Sequence, residues 1–283
     1  MSHNLRFLIL FSFFLSACSG PTFHKERLAE SVVELCKKEY KLPVEAKFVG
    51  STLGVLVRFP EGLFDPSLKP TEQAMDKVWD VLMAAARVAT SSDAKVDFLI
   101  ITAREERPAG FEWVLTRNVM DIKRQLLGDI SRNEAMKRME MDFNLRLFEK
   151  PQEAFTVREI LMPDFIGRQL GRRIKDHFDR EAALAERFDL ESVEGRLEPE
   201  GSQKGKIILF YQVHRKDGLA LSGSDEEEVT RPMALEVQSV VRYYNYGSFG
   251  AVHFQNGATQ SERIVDRPSL KKFAHKKFDL FSE

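Results

Sequence analysis

Apolar residues along this chain recur at two periods, every three to four positions in some stretches and every second position in others. The switches between them mark its elements. Residues 24–40 carry Leu28, Val32, Leu35 and Cys36 at helical spacing, and Pro43 ends the run. Two short strands, 44–49 and 54–59, follow around the turn Gly50-Ser51-Thr52. Pro60, Gly62, Pro66 and Pro70 make 59–70 a loop. Thr71 caps a helix to about residue 89, with Met75, Val78, Trp79, Leu82, Ala86 and Ala89 on one stripe. Residues 96–102 and 111–115 read as strands around a loop at 104–110, and a short helix spans 119–128. Ser131 and Glu134 form a capping box that opens a helix expected to run to Phe148. A long helix is expected over 163–188, with Ile166, Leu170, Ile174 and Phe178 on one face. Residues 191–205, polar and holding Gly195, Pro199, Gly201 and Gly205, read as a linker. A strand at 206–214, a loop at 216–230 and an ambiguous stretch at 231–244 come next. That stretch fits helix or strand, with Pro232 at a first turn favouring helix. Strands at 249–255 and 261–265, split by Asn256-Gly257, and a short helix from Ser269 close the chain.

One order recurs. Helix, strand, turn, strand appears at 24–59, at 71–115 and at 231–265, as a repeat of pattern without residue identity. The expectation is an α+β fold of helix-hairpin units, with antiparallel sheets covered by helices. The expected division is a signal segment at 1–17, an α+β domain at 18–150, a helical connector and linker at 151–205, and an α+β region at 206–283.

The N-terminus follows a different rule. Arg6 and the amino terminus make a short positive region, and Phe7 to Leu15 are almost wholly apolar. That run has secretory length and is too short to span a bilayer, which needs roughly 20 apolar residues. It ends in Leu15-Ser16-Ala17-Cys18, an aliphatic residue and two small ones before a cysteine. The segment resembles the lipobox of bacterial lipoproteins. The resemblance covers residues 1–18 only and implies that Cys18 is the lipid-attachment residue: its thiol receives a diacylglycerol, residues 1–17 are then cut off, and the new amino group is often acylated too. It implies a membrane partner, held through acyl chains on Cys18, and an extracytoplasmic body in the cell envelope or periplasm. Ser19 resembles the class sorted to the outer membrane where a cell has two.

Composition then narrows the body. A hydrophobic fraction of 43% and a charged fraction of 30% describe a folded chain. Removing Arg6 leaves 41 basic against 43 acidic side chains, a formal charge of −2. A near-neutral body argues against nucleic acid, which needs a basic face. With lipid on Cys18, Cys36 has no disulfide partner in the chain and reads as a buried, inert thiol.

No catalytic template is met. Gly223-Ser224-Asp225 lacks the second glycine of a nucleophile elbow. Gly201 to Lys206 is one residue short of a phosphate loop and precedes a strand. No His-x-x-x-His or Cys-x-x-Cys occurs, so no metal and no cofactor is expected. The densest titratable cluster, Asp176-His177-Phe178-Asp179, reads as a solvated helix face. His214 and His253 lie at strand ends, where they could meet across a sheet but read as independent. The acidic run 225–228 lacks the spacing of a calcium loop. Tyr243, Tyr244, Tyr246 and Phe249 form an aromatic cluster suited to core or to a bound partner. Arg168, Arg172, Arg173 and Lys175 make a basic stripe that Asp176, Asp179 and Glu181 can balance.

The sequence therefore leads to a lipid-anchored envelope protein that binds another envelope protein or the cell wall without catalysis, with no catalytic residue assigned. An anchored hydrolase with dispersed residues is the alternative. An enzyme predicts a deep pocket with perturbed titratable groups, a binding module an exposed apolar patch, and a carrier a large dry cavity.

Overall fold

A computed structural model describes residues 22–60, 62–67, 69–106, 109–147, 154–200, 203–270 and 272. The fold is α+β, and the chain divides into two compact units after Glu159. Among the described residues no helix is long and apolar enough to cross a membrane.

The first unit begins with a 3-10 turn, Lys25–Arg27, helix α1 (Leu28–Leu35) and a π turn, Cys36–Tyr40, closed by Lys41 in the left-handed region. Strands β1 (Val44–Val49) and β2 (Thr52–Phe59) form a hairpin around Gly50-Ser51, with Gly50 at a φ of 59°. Helix α2 (Glu72–Thr90) is capped by Thr71, whose hydroxyl accepts from the Ala74 amide at 3.2 Å. Strands β3 (Phe98–Glu105) and β4 (Ala109–Asn118) form the second hairpin. Helices α3 (Val119–Leu127) and α4 (Arg132–Arg138) lead to strand β5 (Glu140–Leu147). The strands stand side by side in chain order. Val32 and Cys36 after it, Val78, Leu82 and Ala85 of α2, and the alternate strand residues Leu53, Val55, Leu99, Ile101 and Leu115 make one core. Residues 154–159 belong to this unit: Ser51 N donates to Glu159 Oε1 at 2.9 Å, and Lys47 Nζ donates to the Phe155 carbonyl.

The second unit repeats the order. Helices α5 (Met162–Arg180) and α6 (Ala182–Arg187) precede the hairpin of β6 (Phe188–Glu200) and β7 (Gln203–Arg215). Helix α7 (Gly223–Tyr243) precedes the hairpin of β8 (Phe249–Asn256) and β9 (Ser261–Asp266). Its core joins Ile166, Leu170 and Ile174 of α5 to Met233 and Val237 of α7 and to Leu209, Val252 and Phe254 of the sheet. Both units thus run helix, hairpin, helix, hairpin. Among the described residues four copies of the motif occur, at 28–59, 72–118, 162–215 and 223–266, where periodicity finds three.

Each sheet is mixed. The hairpins are antiparallel, but β2 pairs with β3 in parallel, as β7 does with β8. The helix between two hairpins carries the chain back to the end where the previous strand began, so the next strand must run the same way.

Four expected elements are corrected. The helix expected over 131–148 stops at Arg138, and Met139 is extended. The residues after it, Met141, Phe143, Leu145 and Leu147, are apolar at every second position, and that period makes β5. The helix expected over 163–188 breaks at Glu181, whose ψ of 99° is not helical. The linker expected at 191–205 contains most of β6, so 151–205 is not a connector: from Ile160 onward it is part of the second unit. The loop expected at 216–230 ends at Ser222, because Ser222 and Asp225 form a capping box that starts α7 there. Residues 231–244 are helical up to Tyr243, with Pro232 inside the helix and not in its first turn.

Candidate functional site

The sequence-singled residues fall into four groups. Cys18, the proposed attachment residue, lies outside the described residues. Cys36 is fully buried, and burial together with the charge of Asp80 pushes its thiol up to about 11. A protonated thiol with no access to solvent is a poor nucleophile.

His177 is the centre of the second group. Its Nδ1 lies 3.0 Å from Glu236 Oε1 and its Nε2 lies 3.2 Å from Glu181 Oε2, while Arg173 Nε donates to Glu236 Oε2 at 3.3 Å. Burial pushes the Glu236 carboxyl up, and the His177 and Arg173 contacts more than offset it, so it titrates below the ordinary glutamate range. A cavity of about 260 Å³ lies beside this cluster, with Arg231 and Leu235 in its wall. The cluster is a charge hub. Both ring nitrogens face carboxylates, Glu236 on one side and the half-exposed Glu181 on the other. The neighbouring charges pair locally: Lys175 with Asp179 and Arg180 with Asp176. Arg173 also stacks on the Tyr243 ring at 5.1 Å. Among the described residues no group of three or more His, Cys, Asp or Glu side chains is arranged to hold a metal ion.

His214 and His253 do not meet. His253 stands opposite Ile208 on β7, six residues from His214. Each has its own carboxylate, Glu191 at 3.5 Å for His214 and Glu262 at 2.9 Å for His253. The acidic run 225–228 opens α7, where the positive end of the helix dipole favours negative charge. Asp225 is buried, accepts from Ser222 N at 2.9 Å, and faces Arg187 at 2.8 Å and Arg215 at 3.0 Å. The Ser222 hydrogen bonds, with Arg215 behind them, hold its carboxyl at about 2. Arg215 and the Leu219 amide hold Asp217 at about 2.

These depressed groups set an acid limit for the second unit. Their folded pKa lies below the unfolded value of about 3.9, so the stability they contribute is complete above that value and lost as pH falls toward 2. The denaturant midpoint of this unit is expected to drop between about pH 4 and pH 2, and less steeply in Asp225→Asn. A midpoint that holds steady over that range, or an equal drop in the variant, contradicts the assignment.

The aromatic group divides. Tyr244 packs edge-on against Phe165 at 5.5 Å, while Tyr246 and Phe249 line a cavity of about 310 Å³.

The feature that sequence reading missed is on β5. This strand closes one side of the first sheet and, among the described residues, pairs only with β4. Its residues Met141, Phe143 and Leu145 stand opposite Leu115, Trp113 and Phe111, on the side that carries the core. They are nevertheless 38%, 53% and 69% exposed. Phe143 stacks on Trp113 at 5.8 Å and meets Phe64 edge-on at 5.6 Å; Phe64 meets Phe111 at 5.1 Å. Four aromatic rings from the 60s loop, β4 and β5 therefore form a continuous apolar ledge beside the edge strand of the sheet. The alternation of residues 140–147 was the signal available for it. In comparisons with family models, curated proteins and solved structures, nothing matches this chain.

Proposed function

We propose that this chain is a lipid-anchored component of the cell envelope that binds an extended segment of another envelope protein, without catalysis. The anchoring part rests on the run from Phe7 to Cys18. The binding part rests on one observation, the exposed row Met141, Phe143 and Leu145 on the edge strand β5. An edge strand offers free backbone N–H and C=O groups, and an added strand fixes its register by placing alternate side chains on the ledge. A monomer gains nothing by keeping such a row in water, and exposed apolar patches mark interaction sites. The hydrolase reading has no comparable observation behind it.

A photo-reactive residue in place of Phe143 or Leu145, used in intact cells, tests this. The expected result is one adduct band from these positions, none from the same residue at Phe210 on the second sheet, and loss of the band in Cys18→Ala. Adducts equal at all three positions, or none, would overturn the proposal.

A further inference from the structure

The cavity in the second unit next to Tyr246 has a construction of its own. Helix α7 ends in a paired turn: Asn245 N donates to the Arg242 carbonyl at 3.2 Å and Tyr246 N to the Val241 carbonyl at 2.8 Å. Asn245 takes the left-handed conformation, φ 49°, that this helix end requires and that asparagine tolerates. The turn sets Arg242, Asn245 and Tyr246 around one opening, with Gln238 one turn back along the helix. Arg267, just after β9, enters from the other side. Its guanidinium lies 5.2 Å from the centroid of the Phe249 ring and donates to the Gly247 carbonyl at 2.7 Å.

The polar wall is one-sided. Arg242, Arg267, Gln238 and Asn245 supply two fixed positive charges and two amide groups, and among the described residues no carboxylate lines the cavity. The nearest acid in sequence, Asp266, accepts from the Ser269 amide at 2.8 Å. Arg242 is exposed and makes no ion pair among the described residues. The remaining wall is apolar: Val241, Phe249 and Leu270. The cavity beside His177 differs, because Glu181 and Glu228 share its wall with Arg231. Planar guanidinium forks match the paired oxygens of carboxylates and phosphates. A volume of about 310 Å³ is at the small end of ligand sites.

We propose that this cavity binds a small organic anion, with its carboxylate or phosphate group held by Arg242 and Arg267 and an apolar body against Val241, Phe249 and Leu270. The site is independent of the β5 ledge, and it stands or falls without the partner proposed above.

The test uses the full chain and four probes followed by calorimetry and tyrosine fluorescence: phenyl phosphate, benzoate, inorganic phosphate and phenol. Phenyl phosphate or benzoate is expected to bind saturably at one site, at least about tenfold tighter than inorganic phosphate or phenol, and more weakly as salt rises. Arg242→Gln, at an exposed position, should weaken binding about tenfold without moving the unfolding midpoint. Arg267→Lys keeps the charge and should retain part of the affinity that Arg267→Gln loses. No saturable binding by either ring-bearing anion, or unchanged affinity in Arg242→Gln, overturns the proposal. Equal affinity for inorganic and phenyl phosphate overturns the apolar half of it.

Discussion

The full-length chain carrying Cys18→Ala is expected in the soluble fraction of broken cells, while the wild-type chain sediments with membranes. The physical case is the size of the anchoring energy. Each buried methylene of an acyl chain contributes about 0.8 kcal/mol, and one chain alone binds reversibly. The two or three chains carried by a lipobox cysteine bind far beyond that. Alanine carries none, and among the described residues no helix is long and apolar enough to span a bilayer. Mass spectrometry of the wild-type N-terminus should show a diacylglyceryl adduct on Cys18 and no residues 1–17. A wild-type chain in the soluble fraction would sink the anchor. Unchanged sedimentation of Cys18→Ala would mean that another part of the chain, the uncut run Phe7 to Leu15 or the β5 ledge, holds the membrane, and the N-terminus read by mass spectrometry separates the two.

The elements that periodicity recovered and those it missed differ in a physical way. Helices α1, α2 and α5 bury one stripe each, and their i, i+3, i+4 pattern survives in sequence. Strand β6 hides the same kind of order behind two local features. A bulge at Glu191 shifts the register between Leu190 and Ser192, so Leu190 and Val193 face the same way three residues apart. The next inward position is Gly195, which contributes no apolar atom. Inward and outward positions alternate cleanly once the bulge is allowed, but no fixed period-2 window sees it. Strand β5 is a different failure: its alternation was intact, and the Ser131 cap drew the helix across it. The cap is real, with Ser131 Oγ accepting from the Glu134 amide at 3.1 Å, but the Glu134 carboxylate turns to Arg138 at 2.9 Å and the helix is short. The start of α7 was lost for the opposite reason. Its Asp225-Glu226 first turn reads as a charged loop until the Ser222 hydroxyl is placed on the Asp225 amide. The candidate sites were less legible still. Tyr246 and Phe249 were visible as an aromatic cluster, but Arg267 reaches them from eighteen residues beyond Phe249 in the chain, a distance only the β8–β9 hairpin closes.

Gly195 shows how the missed strand is held, and Gly195→Ala is expected to destabilise the second unit by about 3 kcal/mol, the upper end of what overpacking costs. Glycine in a polar stretch suggested a linker. In the fold it is a place of close approach between a strand and a helix. A Cβ at position 195 would lie 2.6 Å from the Gly167 carbonyl oxygen, and one at 167 would lie 2.4 Å from the Gly195 carbonyl oxygen. Gly171, one turn along α5, repeats the contact at 2.9 Å with the Val193 carbonyl. The obstructing atoms are backbone, so no rotamer change relieves them; α5 must lift from β6. Lifting it opens the packing of Ile166, Leu170 and Ile174 against the sheet. Gly167→Ala should cost less than Gly195→Ala despite its shorter contact, because alanine recovers about 1 kcal/mol of helix propensity there. Gly223→Ala provides the control, since nothing lies within 4 Å of its added Cβ and its backbone is unstrained. Urea unfolding followed by tyrosine fluorescence reads the difference, because all five tyrosines but Tyr40 lie in this unit. A midpoint for Gly195→Ala equal to that of Gly223→Ala would mean that α5 and β6 do not meet backbone to backbone.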